Sequence, residues 1–344
     1  MQKMSKKEHR KALTMLVKEV TEDQMLVNLY SMAKQGRWLG WETAMQLDTR
    51  WNKLLYAWSP ELLKFYLNSV QDTLPSPANL KTWSKHSLGL CPLCGYNNCT
   101  MIHIFNNCQY SLRAGRYNWR HDMVLRKIVH HIAPAFYRAR AYTEDDEEGY
   151  QKSGIAFKTN EGTKYDNVKW QSTERSERIQ HCEDWEIAWD EDKSPAMFPP
   201  VIVVTAKRPD VTIYSTSEKK CVVIELTVPA EENLAQANNR KKCKYADLIH
   251  ECQEAGWDVR YFPVEVGSRG FTNQTLRACF KYLDLSNKEI RLAIDEISKT
   301  ALRATYTIWL ARSNKMFGSW ELVERPVVPT VRQLECEGPR GQSA

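Results

Sequence analysis

The run Cys221–Val228, "CVVIELTV", constrains this chain more than any other stretch, because it sets a carboxylate in the middle of an apolar strand. A buried charge is expensive unless something offsets it. The preceding stretch, Asp210–Tyr214, is separated from this run by "STSEKK", so the two segments read as a β-hairpin. A turn centred between Ser217 and Glu218 pairs residues whose numbers sum to 435. That register sets Asp210 opposite Glu225, with side chains on one face about 5 Å apart. Parity agrees: Asp210, Thr212, Glu225 and Thr227 share a face, and Val211, Ile213, Val222, Ile224 and Leu226 share the buried other. Two like charges so placed call for a cation or a proton between them. A hard divalent ion such as Mg²⁺ suits such oxygen ligands. On this reading, removing one acid from the metal-free protein relieves repulsion and costs no stability.

The downstream pattern extends the same unit. Runs at 201–205, 211–214, 221–228 and 259–266 read as strands, and Asn233 to Ala255 as a helix closed by Gly256. That helix carries Lys241, Lys244 and Tyr245 at i, i+3 and i+4, on one face. A lysine beside a metal can orient or deprotonate water and offset phosphate charge. The bland reading of any one lysine is a solvated basic helix. Ser286-x-x-Glu289 is a capping box opening a long helix to about Arg312.

Four of the ten cysteines crowd between Cys91 and Cys108, in a chain with no signal-peptide pattern at its start. Thiols in a reducing compartment stay reduced, so a cluster points to metal. Cys91, Cys94, His103 and Cys108 give the spacing C-x2-C-x8-H-x4-C, with Gly95 at the sharp bend. Four soft ligands with no spare position describe a structural zinc site. Cys99, in the same loop, is a rival for the fourth place.

Elsewhere the first ninety residues read as helical, from Lys11 to Met32 and again after Ser59-Pro60-Glu61, an N-cap with proline at the first helical position. "GRYNWRHDMVLRKIVHHI" reads as a basic amphipathic helix with Trp119, Val124, Ile128 and Ile132 inward. Arg113, just ahead of it, and its Arg116, Arg120, Arg126 and Lys127 are candidates for a stripe that faces nucleic-acid phosphates, which the formal charge of +6 permits. The acidic stretches "TEDDEEGYQKSG" and "EDWEIAWDEDKS" read as a linker holding one short helix or hairpin. No run of about 18 apolar residues offers a membrane span. The expected organisation is α+β: a helical region at 1–88, the cysteine knuckle at 89–110, a basic helix and acidic linker at 111–195, an α/β unit with a mixed sheet flanked by helices at 196–312, and a tail at 313–344.

Taken together, R-P-D, E-L-T and K-K-C-K-Y resemble the PD-(D/E)xK restriction-like nuclease fold, with Thr227 where the usual lysine stands two residues after the acid. The shifted K-x-x-K-Y (Lys241, Lys244, Tyr245), with the knuckle ahead of it, is similar to the endonuclease of site-specific LINE-type (non-LTR) retrotransposons. "NLKTW" at 79–83, "RYNWRHDMVLRKI" at 116–128 and "FPVEVGSRGF" at 262–271 resemble the same family, and the resemblance spans about 40–312. It implies a nuclear, Mg²⁺-dependent DNA endonuclease with a structural Zn²⁺. Asp210 and Glu225 would hold the Mg²⁺, and Lys241 or Lys244 would be the catalytic lysine. Glu265 would be either an accessory acid or a strand residue paired to an arginine. The implied partners are target DNA and element RNA, with no membrane. Such enzymes nick one strand, and the 3′ hydroxyl primes reverse transcription. No Tyr-x-Asp-Asp is present and too few residues precede Cys91 for a polymerase, so the chain resembles a C-terminal piece. Two other readings stand beside it: a catalytically decayed fragment that still binds nucleic acid, and a host resolvase-type nuclease.

Overall fold

In a computed structural model, residues 5–36, 58–85, 87–141, 184–189 and 197–317 are described, the side chains of 134–141 excepted. The acidic stretch at 143–154 and the tail beyond 317 lie outside them. The described chain is mixed α+β. Its elements are α1 (Lys6–Ser31), α2 (Pro60–Val70), α3 (Pro77–Thr82), α4 (Gln109–Arg113), α5 (Arg116–Ala141), β1 (Glu186–Trp189), β2 (Val211–Ser215), β3 (Lys220–Thr227), α6 (Leu234–Glu254), β4 (Asp258–Glu265), α7 (Gln274–Tyr282) and α8 (Asn287–Leu310).

Local signals account for several helix ends. Ser59 accepts from the Leu62 N–H with Pro60 at the first helical position. Ser286 and Glu289 form a reciprocal capping box that starts α8. Gly256, at φ +82°, follows the last residue of the α6 cap and turns the chain into β4. Helix α1 begins earlier than its apolar spacing suggested, because Ser5 and Glu8 form another capping box, and none of its residues is buried.

The four strands form one sheet in the order β1-β2-β3-β4, antiparallel except for the parallel β3/β4 pair. The expected hairpin register holds: Val211 lies opposite Ile224 and Thr212 opposite Val223. Both faces of the sheet are covered. Val211, Ile213, Val222, Ile224 and Leu226 pack with α5, α7 and α8, while Cys221 and Val223 pack under Tyr245, Leu248 and Cys252 of α6. Covering on both sides explains why β3 is apolar at five of its eight positions, on both faces. At roughly 25 cal/mol per Å² of apolar area removed from water, these two layers are the main source of the unit's stability.

Two expectations need correction. Residues 201–205 are turn and coil, not a strand. Pro199 and Pro200 supply no backbone donors there, and the sheet position next to β2 is taken by β1. Conversely, part of the acidic stretch read as linker is β1: Trp185 is buried beside it, and Glu186–Trp189 pair with Tyr214–Val211. A strand this short, with glutamate at one end, carries too little period-2 signal to stand out.

A second apolar cluster joins Leu62, Phe65 and Tyr66 of α2 to Cys91, Cys99, Met101, Phe105 and Cys108, and to Leu302 and Trp309 of α8. Helix α8 therefore packs on the sheet with its first half and on the cysteine segment with its second.

Candidate functional site

The chain forms two constellations of chemically competent side chains. The first is the cysteine segment. Cys91, Cys94, His103 and Cys108 bring one ligand atom each to within 4.8 Å of one another. The turn that does this is local: the Gly95 N–H donates to the Cys91 carbonyl at 2.9 Å and the Cys91 N–H to the Tyr96 carbonyl at 2.9 Å, with Gly95 at φ +72°. His103 opens a π-helical turn, His103–Asn107, and Cys108 closes it. The Tyr96 ring stacks on the His103 imidazole at 4.7 Å.

The cluster can hold a metal ion, and its dimensions are compatible with zinc. A tetrahedron with Zn–S bonds of about 2.3 Å has S···S edges of roughly 3.8 Å, and the Cys91 and Cys108 sulfurs are 3.8 Å apart. Cys94 Sγ lies 3.3 Å from His103 Nε2. Burial alone would raise the Cys108 thiol, but donors from Ser111 outweigh it and hold that thiol below its ordinary range. Cys99 is outside this set of four. It is fully buried, its N–H donates to Gly89 and its carbonyl accepts from Ala78.

The second constellation lies on the α6 side of the sheet. Continuing the β2/β3 register by one residue sets Asp210 opposite Glu225. The Asp210 N–H donates to Glu225 Oε2 at 3.2 Å, and the Leu226 N–H donates to Asp210 Oδ2 at 2.6 Å. Glu225 is 2% exposed. Its charge is met by Lys241, which contacts Oε1 directly, and by Lys244 at 3.5 Å. Lys244 Nζ is also 2.9 Å from the Tyr245 hydroxyl, which donates to the Arg208 carbonyl at 2.8 Å. Burial, then the charge of Glu225, pushes the Tyr245 phenol far above its ordinary range. The helical spacing of 241, 244 and 245 thus delivers all three side chains to the hairpin's open end.

Sequence reasoning missed two members. His121 of α5 places Nε2 3.4 Å from Asp210 Oδ2 and Nδ1 3.1 Å from Asp122 Oδ1. Burial disfavours its charge, but the two carboxylates prevail and lift the imidazole to about 10. Asn238, one turn before Lys241, donates to Glu265 Oε2 at 3.1 Å. The spacing from Lys241 back to Asn238 was a usable signal for the second; nothing local to "RHD" announces the first. Cations and N–H donors meet both acids in the metal-free site and offset most of the expected repulsion between them. Among the described residues this pair does not belong to a set of three or more His, Cys, Asp or Glu ligands.

Glu265 is fully buried at the end of β4, beside Thr227. The expected arginine partner is not what holds it. Asn238, Asn273 at 2.8 Å and Thr275 at 3.2 Å all donate to Oε2. Burial raises its carboxyl despite these donors. The "EVGSRG" stretch that follows is an internal brace: the Arg269 N–H donates to Glu231 Oε1 at 2.6 Å, and its guanidinium lies 3.4 Å from Glu231 Oε2. A Cβ on Gly267 would sit 2.3 Å from Glu231 Oε1, so only glycine fits there without moving that buried acid.

The expected basic stripe divides. Arg113 and Arg126 are exposed, and Lys127 is half-exposed and 3.4 Å from Glu296. Arg116 and Arg120 are not on a phosphate-facing surface: they are 0% and 1% exposed. Arg116 donates to the Ala311 and Asn314 carbonyls beyond α8, at 2.8 and 2.5 Å. The signal was present, since 116 and 120 continue the four-residue step of the inward Val124, Ile128 and Ile132.

The described protein is thus an α+β fold bearing a Cys₃His cluster able to hold a metal and a separate acid–lysine centre. No protein-family model matches the chain, and no curated protein matches it. No helix among the described residues is long and apolar enough to cross a membrane.

Proposed function

We propose that this chain is a metal-dependent DNA endonuclease module with a restriction-like core and a zinc knuckle, of the kind carried by site-specific LINE-type retrotransposons. It would work in the nucleus, nicking target DNA to provide a primer for reverse transcription of element RNA. One observation carries the reading: Asp210, Glu225, Lys241, Lys244 and Tyr245, scattered over 36 residues, converge at the open end of the β2/β3 hairpin. A structural role alone would not require two acids and two lysines there.

The donor set suits a divalent cation. Both acids offer carboxylate oxygens, the preference of Mg²⁺, and their present cationic partners are long flexible side chains or an imidazole that can yield. When bound, Mg²⁺ would supply Lewis acidity toward the scissile phosphate and a more acidic bound water. The protein's own groups do the rest. The Leu226 N–H and His121 orient Asp210, and the Asp210 N–H orients Glu225. Lys241 and Lys244, freed from Glu225, are placed to offset phosphate charge and to accept or hold a proton from water. Hydrolysis forms a P–O bond to that water and breaks the P–O3′ bond, leaving a 5′ phosphate and a protonated 3′ hydroxyl. Cys91, Cys94, His103 and Cys108 would hold the Zn²⁺.

Plasmid nicking in Mg²⁺ tests the reading. Asp210→Ala and Glu225→Ala should fall to background, and Lys241→Ala should lose about 10²–10⁴-fold, the usual range for a lost proton-transfer group. DNA affinity should stay near that of the parent, since it comes mostly from basic contacts. Nicking that survives in both acid variants excludes this centre. Binding without nicking in the parent would instead identify a decayed nuclease.

A further inference from the structure

Arg120 is almost fully enclosed, at 1% exposure, and its partners come from three places. Its Nη1 donates to the Phe105 carbonyl at 2.9 Å and to Thr305 Oγ1 of α8 at 3.0 Å. Its Nη2 donates to the Val228 carbonyl at 3.1 Å. The Val228 carbonyl also accepts from Asn106 Nδ2 at 3.2 Å. All these acceptors are neutral, and burial lowers the guanidinium to about 10. A buried cation held only by neutral dipoles, here two carbonyls and a hydroxyl, fixes them firmly, because releasing one leaves its charge poorly satisfied.

The position of the acceptors gives this its consequence. Phe105 and Asn106 lie in the π-helical turn between His103 and Cys108, so two ligands of the cysteine cluster bracket them. Val228 is three residues beyond Glu225 on the same extended segment. The Tyr117 hydroxyl adds to the connection on the cluster's side, accepting from the Cys108 N–H at 3.0 Å and lying 3.0 Å from the Ile104 carbonyl.

We infer that Arg120, assisted by Asn106, is a positioning residue through which metal bound at the cysteine cluster sets the placement of the β3 end that carries Glu225. The ligands clamp the turn, the turn's carbonyl and amide hold Arg120 and Val228, and Val228 fixes the strand end. The knuckle is then an integral support of the acidic centre rather than an appendage. The inference rests on the reading that the four side chains hold zinc.

Hydrogen exchange read by mass spectrometry on the peptide covering 222–228 tests this without reference to nuclease activity. Metal content is measured first on the full-length parent, Arg120→Met and the milder Asn106→Ala. Stripping zinc from the parent should speed exchange of that peptide about tenfold, the effect of losing a hydrogen bond to a charged group. In either variant the zinc-loaded form should already exchange fast, and stripping should change it by less than about twofold, the signature of a severed coupling. Arg120→Lys, which still reaches some of the carbonyls, should recover part of the metal response. A parent that binds no zinc, or whose peptide ignores zinc, overturns the inference. So do variants that keep the parent's full response, because a merely structural Arg120 would leave it intact. If Arg120→Met does not fold, Asn106→Ala decides. A parent that shows the coupling but does not nick DNA would remove only the proposed function.

Discussion

Replacing Asp210 by alanine separates two accounts of the acidic centre. If the pair were held apart only by repulsion, the metal-free variant would be at least as stable as its parent. The contacts argue the opposite. Asp210 Oδ2 accepts the Leu226 N–H at 2.6 Å and lies 3.4 Å from His121. Its side chain is only 16% exposed, so water replaces these partners poorly. A hydrogen bond to a charged group contributes about 1.5–3 kcal/mol. Relief of repulsion is a small opposing effect, because Lys241 and Lys244 already meet Glu225. Asp210→Ala should therefore cost about 2–3 kcal/mol, and Asp210→Asn, which keeps an acceptor for Leu226, about 1 kcal/mol. Both are read from urea denaturation in EDTA. The pH dependence has a definite sign. His121 is raised to about 10 in the folded protein, from an ordinary 6.5. Its contribution is therefore full below about pH 6.5 and lost as pH rises toward 10. Since Asp210 is one of the two carboxylates responsible, the parent's advantage over Asp210→Ala should shrink across that window. An Asp210→Ala protein as stable as the parent at pH 6.5 would refute the reasoning.

Other outcomes follow from the same contacts. Cys91→Ser should lose the metal that the parent binds at about one equivalent, while Cys99→Ser should retain it, as metal analysis will show. Arg269→Met leaves Glu231 buried without its cation, so unfolding should become easier by about 3–5 kcal/mol, the usual cost of breaking a buried pair from one side; an unchanged urea midpoint would contradict this. Neutralising Arg113 and Arg126 should flatten the salt dependence of DNA binding by roughly one unit of log–log slope per lost phosphate contact. Neutralising Arg116 should instead lower stability through its lost carbonyl contacts, with the slope unchanged in whatever fraction remains folded.

Much of this protein was written in local signals. The capping residues Ser59 and Ser286 and the glycine at 256 set helix ends because capping involves only neighbours in sequence. The turn "STSEKK" and the period-2 pattern around it determined the β2/β3 register, and with it the position of Asp210 against Glu225. The ligand spacing of the cysteine segment likewise brought four ligand atoms together within a short loop. What required the tertiary structure was every relation between segments far apart in sequence. His121 reaches Asp210 across 89 residues, and Arg120 reaches Val228 across 108. Whether an arginine on an amphipathic helix faces solvent or spans two modules depends on what packs over it. Here α8 supplies a hydroxyl, and the cysteine-segment turn and the strand end beyond β3 each a carbonyl, which replace the water a guanidinium would otherwise keep. The edge strand β1 shows the same limit: four residues with a weak pattern become a strand because β2 offers an unpaired edge.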